Sequence, residues 1–313
     1  MTGKELFEKV NTNIGQVVVG REQAVKLMLT ALISGGNVLL EDLPGSGKTT
    51  LAKAISKSIG CDFNRVQFTP DLLPGDITGI RAYNQATSEF YLKRGPVFTN
   101  ILLADEINRA TPRTQSGLLE CMEERQVTID GEKFVLDAPF MVIATQNPIE
   151  SSGTYPLPEA QMDRFMMRLS MGQPSVLEEK EILKNHGVSG VSVDDISAVI
   201  TKDDVADASK CAENVFVHDS VLGYIASIID ATRNDSRLKA GVSTRAGIAL
   251  LKAVKAYCFL DGREYVTPDD VKVMAMHVLP HRFYMDYTTE NAVDLCRAIV
   301  ANVDVPTEEF SKK

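Results

Sequence analysis

Two glycines, a lysine and three hydroxyls stand together at Gly45-Ser46-Gly47-Lys48-Thr49-Thr50, directly after Pro44. Glycines at this spacing let the backbone curl until successive N–H groups point inward, which makes a cradle for a phosphate. Lys48 can reach terminal phosphates, and the Thr49 hydroxyl can hold Mg²⁺. Such a loop works only between a strand and a helix, because the positive end of the helix dipole completes the cradle. The apolar run 37–41 reads as a strand buried on both faces, and a helical pattern follows from 49 through 59. One position departs from the phosphate-loop pattern. It begins with Gly, and Asp42 stands there, so that carboxylate must point away from the phosphates.

Two further strand ends carry polar groups. The stretch ILLADEINR (101–109) is an apolar strand that ends in adjacent carboxylates, Asp105 and Glu106. Ligands of open parallel sheets sit at the C-terminal ends of the strands. Asp105 is therefore placed near a Mg²⁺ held by Thr49, and Glu106 can orient and deprotonate a water that attacks a γ-phosphate. An acidic pair alone would be read as a solvated strand end, and the upstream phosphate loop favours the catalytic reading. The stretch FMVIATQNP (140–148) ends in Thr145, Gln146 and Asn147. An amide there can hold the attacking water or a phosphate oxygen, although Asn before Pro is also an ordinary turn residue.

These strand ends require a scaffold. Leu6, Phe7, Val10 and Ile14 fall at helical spacing, as do Ala24, Leu27, Met28, Ala31 and Leu32. Short β-rich runs at 63–68, 101–104, 140–145 and 166–171 are mostly separated by helical segments, which predicts a mainly parallel sheet with helices on both faces. Residues 79–95 read as an inserted hairpin, and RQVTIDGEKFVL as a second one turning at Asp130-Gly131. Near Gln173-Pro174 the character changes. Helical patterns follow at 176–185, 204–214, 219–234, 244–260, 268–278 and 289–300, with strand signals only at 215–218 and 264–267. The expected division is residues 1–173 as an α/β nucleotide-binding core and 174–313 as a helical domain.

Bulk properties narrow the function classes. A chain of 313 residues suggests two domains, and 44% hydrophobic with 24% charged residues is an ordinary soluble composition. A net charge of −9 argues against a nucleic-acid partner, and 6% aromatics without Trp argue against stacking on single strands. Cys61, Cys121, Cys211, Cys258 and Cys296 are scattered, as in a reducing compartment. No apolar run approaches a membrane span, and the amphipathic MTGKELFEKV lacks the apolar core of a signal peptide, so the cytoplasm is the expected location. His186, His218, His277 and His281 form no metal-ligand cluster in sequence.

The strings QFTPDLLPGDITG, GPVFTNILLADEINRATPRTQSGLLECMEERQVTIDG, PFMVIATQNPIESSGTYPLPEAQMDRF, GVSTRAG and GREYVTPDDV resemble those of AAA+ ATPases, and among them the MoxR family. The resemblance runs from Val18 to Arg282. It implies an AAA+ P-loop core with a mainly parallel five-stranded sheet, followed by a smaller all-α lid. It implies ATP and ADP as ligands with Mg²⁺, held by Pro44, Gly45, Ser46, Gly47, Lys48, Thr49 and Thr50, with Val19 and Gly20, beside Val18, in the loop that packs on adenine. By the same resemblance Asn147 is the sensor-1 residue, Arg164 in MDRF the arginine finger that reaches a neighbouring subunit, and Arg245 in GVSTRAG the sensor-2 arginine. Without it, Arg164 reads as a surface arginine paired with Asp163 or Glu159. Related proteins often have Pro before this last arginine, where this chain has Thr244. Arg109 and Arg113 either face a neighbouring subunit or pair with glutamates on their own helix.

The resulting expectation is a Mg²⁺-dependent ATPase that assembles into a ring, a hexamer, and remodels a client protein. The MoxR resemblance adds a chaperone-like role in maturing protein complexes, with a separate von Willebrand A domain protein as partner. A nucleotide-gated binding switch with little turnover is the alternative from another class. A DNA-associated motor is a third, disfavoured by the acidic balance.

Overall fold

The computed structural model describes residues 1–42, 45–146, 154–187, 191–285 and 291–306. Helices α1 (Gly3–Gly15) and α2 (Glu22–Ile33) precede strand β1 (Val38–Glu41) and helix α3 (Lys48–Ser58). Strand β2 (Phe63–Gln67), the short α4 (Pro74–Thr78) and the strands β3 (Gly79–Asn84) and β4 (Glu89–Arg94) follow. Then come β5 (Ile101–Asp105), α5 (Pro112–Glu124), the strands β6 (Gln126–Ile129) and β7 (Glu132–Val135), β8 (Met141–Gln146), α6 (Glu159–Met162) and β9 (Met167–Leu169). The remainder is α7 (Val176–Gly187), α8 (Lys202–Glu213), α9 (Asp219–Asn234), β10 (Leu238–Ala240), α10 (Thr244–Leu260), α11 (Pro268–Val278), β11 (Tyr284–Met285) and α12 (Ala292–Ala301).

The main sheet has five strands in the order β2-β5-β8-β1-β9, every pair parallel. This is the architecture expected from alternating strand and helix patterns. Val38 lies in register with Ile143 on one side and Met167 on the other, so β1 is interior. Val38, Leu39, Leu40, Leu102, Leu103, Val142 and Ile143 are all fully buried, which is why these strands read as continuous apolar runs rather than alternating ones. One strand order has a direct consequence. The C-terminal ends of β1, β5 and β8 stand side by side at one edge of the sheet.

Both hairpins form where the sequence suggested. Asp130 (φ 51°) and Gly131 (φ 84°) are both left-handed, the combination that a two-residue turn between twisted antiparallel strands requires. Helices α8 and α11 begin at capping boxes, Thr201 with Asp204 and Thr267 with Asp270. The apolar core that contains α1, α2 and α3 continues into α8, α9, α10 and α11. Gly3 sits so close to α10 that a Cβ there would lie 1.9 Å from the Phe259 carbonyl oxygen, and Lys26 of α2 pairs with Asp261 while its Nζ lies 4.0 Å from the centre of the Tyr257 ring. The strand signals at 215–218 and 264–267 amount to a single bridge between Phe216 and Tyr265, not to strands. Instead β10 and β11 pair antiparallel. Among the described residues, no helix is long and apolar enough to cross a membrane.

Candidate functional site

A cavity of about 490 Å³ opens at the sheet edge where β1, β5 and β8 end. Residues 45–50 line one wall, and Asp105, Glu106, Thr145 and Gln146 line the other. Gly45 (φ 82°) and Gly47 (φ 86°) are both left-handed, a conformation that costs a side-chain-bearing residue about 1–2 kcal/mol. Gly47 caps α3, so the N-terminal dipole of an eleven-residue helix points at the cavity. The Lys48 ammonium donates to the Asp42 carbonyl at 2.7 Å, which folds the loop back on itself. The Ser46 hydroxyl is buried with no partner among the described residues, as expected of a group that meets a ligand. Pro44 and Asn147 lie outside the described residues.

The Asp42 carboxylate does point away from this loop. It accepts from the Ser170 hydroxyl at 2.6 Å, the Met171 N–H at 2.7 Å and the Gly172 N–H at 3.3 Å. Its charge is spent on the end of β9, and the phosphate side keeps only its carbonyl.

Asp105 and Glu106 are held differently from each other. The Thr145 hydroxyl donates to Asp105 Oδ1 at 2.6 Å and accepts the Glu106 N–H at 2.8 Å. Arg65 reaches Asp105 Oδ2 from β2 through Nε at 3.1 Å and Nη2 at 2.6 Å. Glu106 is left-handed at φ 55°, a strained state for a residue with a Cβ, and strain of this kind concentrates at working sites. Its Oε2 accepts from Gln67 Nε2 at 2.7 Å and lies 3.0 Å from Arg109 Nε. Arg109 thus pairs with a glutamate three residues back, and Arg113 is exposed on α5. Thr49 and Asp105 offer oxygen only, the hard donors that suit Mg²⁺. The arrangement can grip a polyphosphate, seat a divalent cation and present a carboxylate to a water.

Arg164 and Arg245 do not line this cavity. They line another, of about 290 Å³, together with Gly36 and Asn37, which precede β1, and with Met166, which precedes β9. The two sites therefore lie at opposite edges of the sheet, separated by β1, about 13 Å for four residues of strand. Both arginines converge on Glu123 of α5. Arg164 Nε lies 3.4 Å from its Oε2, and Arg245 bonds its Oε1. Arg245 also lies 4.0 Å from Asp163, which Ser243, the cap of α10, approaches at 3.4 Å. His281, next to Arg282, is buried. Its Nε2 must donate to the Phe165 carbonyl at 3.0 Å, and burial, helped by the Arg282 charge, holds its pKa well below the usual histidine value.

Val19 and Gly20 lie outside the phosphate cavity, and Gly20 sits beside the first turn of α7. Gly20 is left-handed at φ 68°, and a Cβ there would run into the Glu178 carboxylate. Four residues of these sites escaped sequence reading: Arg65, Gln67, Glu123 and Arg282 in its packed role. Arg65 and Gln67 alternate with buried Val66 on β2, so both face one side of the sheet, and their position beside a strand ending in carboxylates was the available signal. Glu123 had none, because it meets Arg245 across 122 residues.

Comparison with known proteins agrees with this fold. Residues 37–167 match the family described as "ATPase family associated with various cellular activities (AAA)", and residues 230–299 match the AAA lid domain. The chain is 47% identical to the uncharacterized protein YeaC of Bacillus subtilis (strain 168), over 97% of this chain and 96% of that protein. It is 42% identical to Chaperone MoxR1 of Mycobacterium tuberculosis (strain ATCC 25618 / H37Rv), over 90% of this chain and 76% of that protein. A crystal structure of a candidate ATPase from Cytophaga hutchinsonii ATCC 33406 is 37% identical and superimposes with a TM-score of 0.90, covering 97% of this chain and 96% of that one.

Proposed function

This chain belongs to the MoxR family of AAA+ ATPases, and from that premise we propose that it hydrolyses ATP with Mg²⁺ in a ring whose active sites are each shared by two subunits. The observation that carries this reading is the separation of parts. The phosphate loop, Asp105 and Glu106 share one cavity, and Arg164 and Arg245 stand together at the opposite edge of the same sheet. An arginine on that edge serves a phosphate only if the phosphate belongs to another copy.

Within one subunit the backbone amides of Gly45 to Lys48 and the Lys48 ammonium grip the β- and γ-phosphates. Thr49 and Asp105 would hold a magnesium ion, which when bound would neutralise charge on the phosphates. Glu106 takes a proton from the attacking water, and Asn147, which follows β8 in the sequence, is the residue proposed to orient that water. Val19 and Gly20 border the base. The neighbour contributes Arg164 and Arg245, whose guanidinium forks meet charge that develops on the γ-phosphate. Residues 1–173 act as the core and 174–313 as the lid, a division supported by the sheet's last strand ending at Leu169 and α7 beginning at Val176. Motion between them does work on a client protein, and the kinship to a named chaperone supports a remodelling role in complex maturation, with a separate von Willebrand A domain protein as partner.

The substitution Arg164→Ala tests this. ATP binding is retained and turnover falls by about 10³-fold or more, the range for arginine fingers acting in trans. The second reading, a nucleotide-gated switch, draws on one observation: Gln67 and Arg109 both engage Oε2 of Glu106, one of the two oxygens that could accept the water's proton. Slow turnover at every protein concentration, with tight ATP binding, would favour it.

A further inference from the structure

Arg282 lies in the turn between α11 and β11, 119 residues along the chain from Asp163, and its side chain is only 3% exposed. A buried guanidinium must find acceptors for five N–H groups. It finds five. Nε donates to Asp163 Oδ1 at 2.6 Å, Nη1 to the carbonyls of Met166 at 3.2 Å and of Val278, and Nη2 to the carbonyls of Asp163 at 3.3 Å and Phe165 at 2.7 Å. Four of these acceptors belong to residues on either side of Arg164. The buried Phe165 ring and the bond from the Met166 N–H to the Asn37 carbonyl at 2.8 Å fix the same short segment to the lead-in of β1. His281 adds a donor to Phe165. The backbone that carries Arg164 is therefore clamped from the helical part of the chain by Arg282, with His281 beside it.

We infer that Arg282 is the positioning residue for Arg164: by gripping residues 163, 165 and 166 it fixes where the Arg164 guanidinium is presented to the neighbouring subunit. This rests on the reading of Arg164 as a group that acts in trans. Arg282 also ties that presentation to α11, so a shift of the helical domain reaches the adjoining subunit's phosphate. A displacement of about 1 Å in a catalytic group is enough to lose on the order of 100-fold in rate. Lysine cannot replace this clamp, because an ammonium offers three donors without the planar fork.

The test uses full-length Arg282→Met, Arg164→Ala and Glu106→Gln chains, each alone and in pairs. Arg282→Met alone should bind ATP with parent-like affinity and keep its KM, with kcat reduced on the order of 100-fold. Glu106→Gln alone should not turn over, yet it carries an intact Arg164 and Arg282. Mixed with it, Arg282→Met should regain turnover, because the neighbour's arginine now serves its phosphate loop, and Arg164→Ala should do the same. Recovery by Arg164→Ala but not by Arg282→Met overturns the assignment and leaves the trans reading intact. Recovery by neither overturns the trans reading, and this assignment with it. A parent-like kcat in Arg282→Met overturns it as well. Should Arg282→Met fail to fold, Arg282→Lys, which keeps the charge and loses the fork, is predicted to give the same pattern.

Discussion

The Thr145 hydroxyl donates to Asp105 Oδ1 at 2.6 Å, and the same oxygen accepts the Glu106 N–H at 2.8 Å. One side chain at the end of β8 therefore orients the proposed metal carboxylate and fixes the backbone of the proposed base. The Thr145→Val chain keeps the shape and loses both bonds. Partners of this kind typically cost 10- to 100-fold when removed, so the Mg²⁺ needed for half-maximal turnover should rise by about 10-fold. A magnesium titration of ATP hydrolysis checks this, with ATP binding in the presence of a chelator as the control expected to stay unchanged.

Glu123 holds Arg164 and Arg245 outside the cavity that the phosphate loop lines. The three side chains are partly exposed, so the pairing contributes under about 1 kcal/mol and Glu123→Gln should melt close to the parent. Its effect belongs to assembly. With the competing carboxylate neutralised, both arginines are freer to meet a neighbour's phosphate, and half-maximal turnover should come at lower protein concentration. Turnover measured over a dilution series decides it.

Acid should destabilise the fold before its carboxylates protonate. Burial holds His281 well below the histidine value of 6.5, and His277 is lowered by burial as well. The unfolded chain takes up these protons near 6.5 and the folded chain does not, so this stability is fully present above that value and is lost as pH falls beneath it. Melting curves from about pH 7 to about pH 5 should show a falling Tm, with a shallower fall in His281→Gln. A flat Tm across that window contradicts the buried neutral histidines.

Much of this was legible in the sequence, for reasons that differ by element. Strands β1, β5 and β8 are buried on both faces, so composition alone marks them. Helices α8 and α11 carry their start signals in Thr201 with Asp204 and Thr267 with Asp270. Strands β10 and β11, of three and two residues, are too short for an alternating pattern to register and pair across more than forty residues of chain. The phosphate loop announced itself because local backbone geometry demands Gly45 and Gly47. The convergence of Arg164 and Arg245 on Glu123 is purely tertiary, and no spacing rule reports it.

Asp42 shows a departure from a motif that the fold absorbs. Its carboxylate accepts from Ser170, Met171 and Gly172, so Asp42→Ala strands the buried Met171 N–H and should cost about 1–3 kcal/mol of stability. Because that carboxylate faces β9, its removal should leave ATP affinity unchanged. Thermal melts and equilibrium binding of ATP separate the two effects.

The division of the active site between two copies is tested most directly by Mg²⁺-dependent ATP hydrolysis across a range of protein concentrations, with Glu106→Gln and Arg164→Ala in parallel. The account predicts turnover per chain that rises with concentration and is lost in both variants, with ATP binding retained. Turnover strictly proportional to protein, and undiminished in Arg164→Ala, would contradict it.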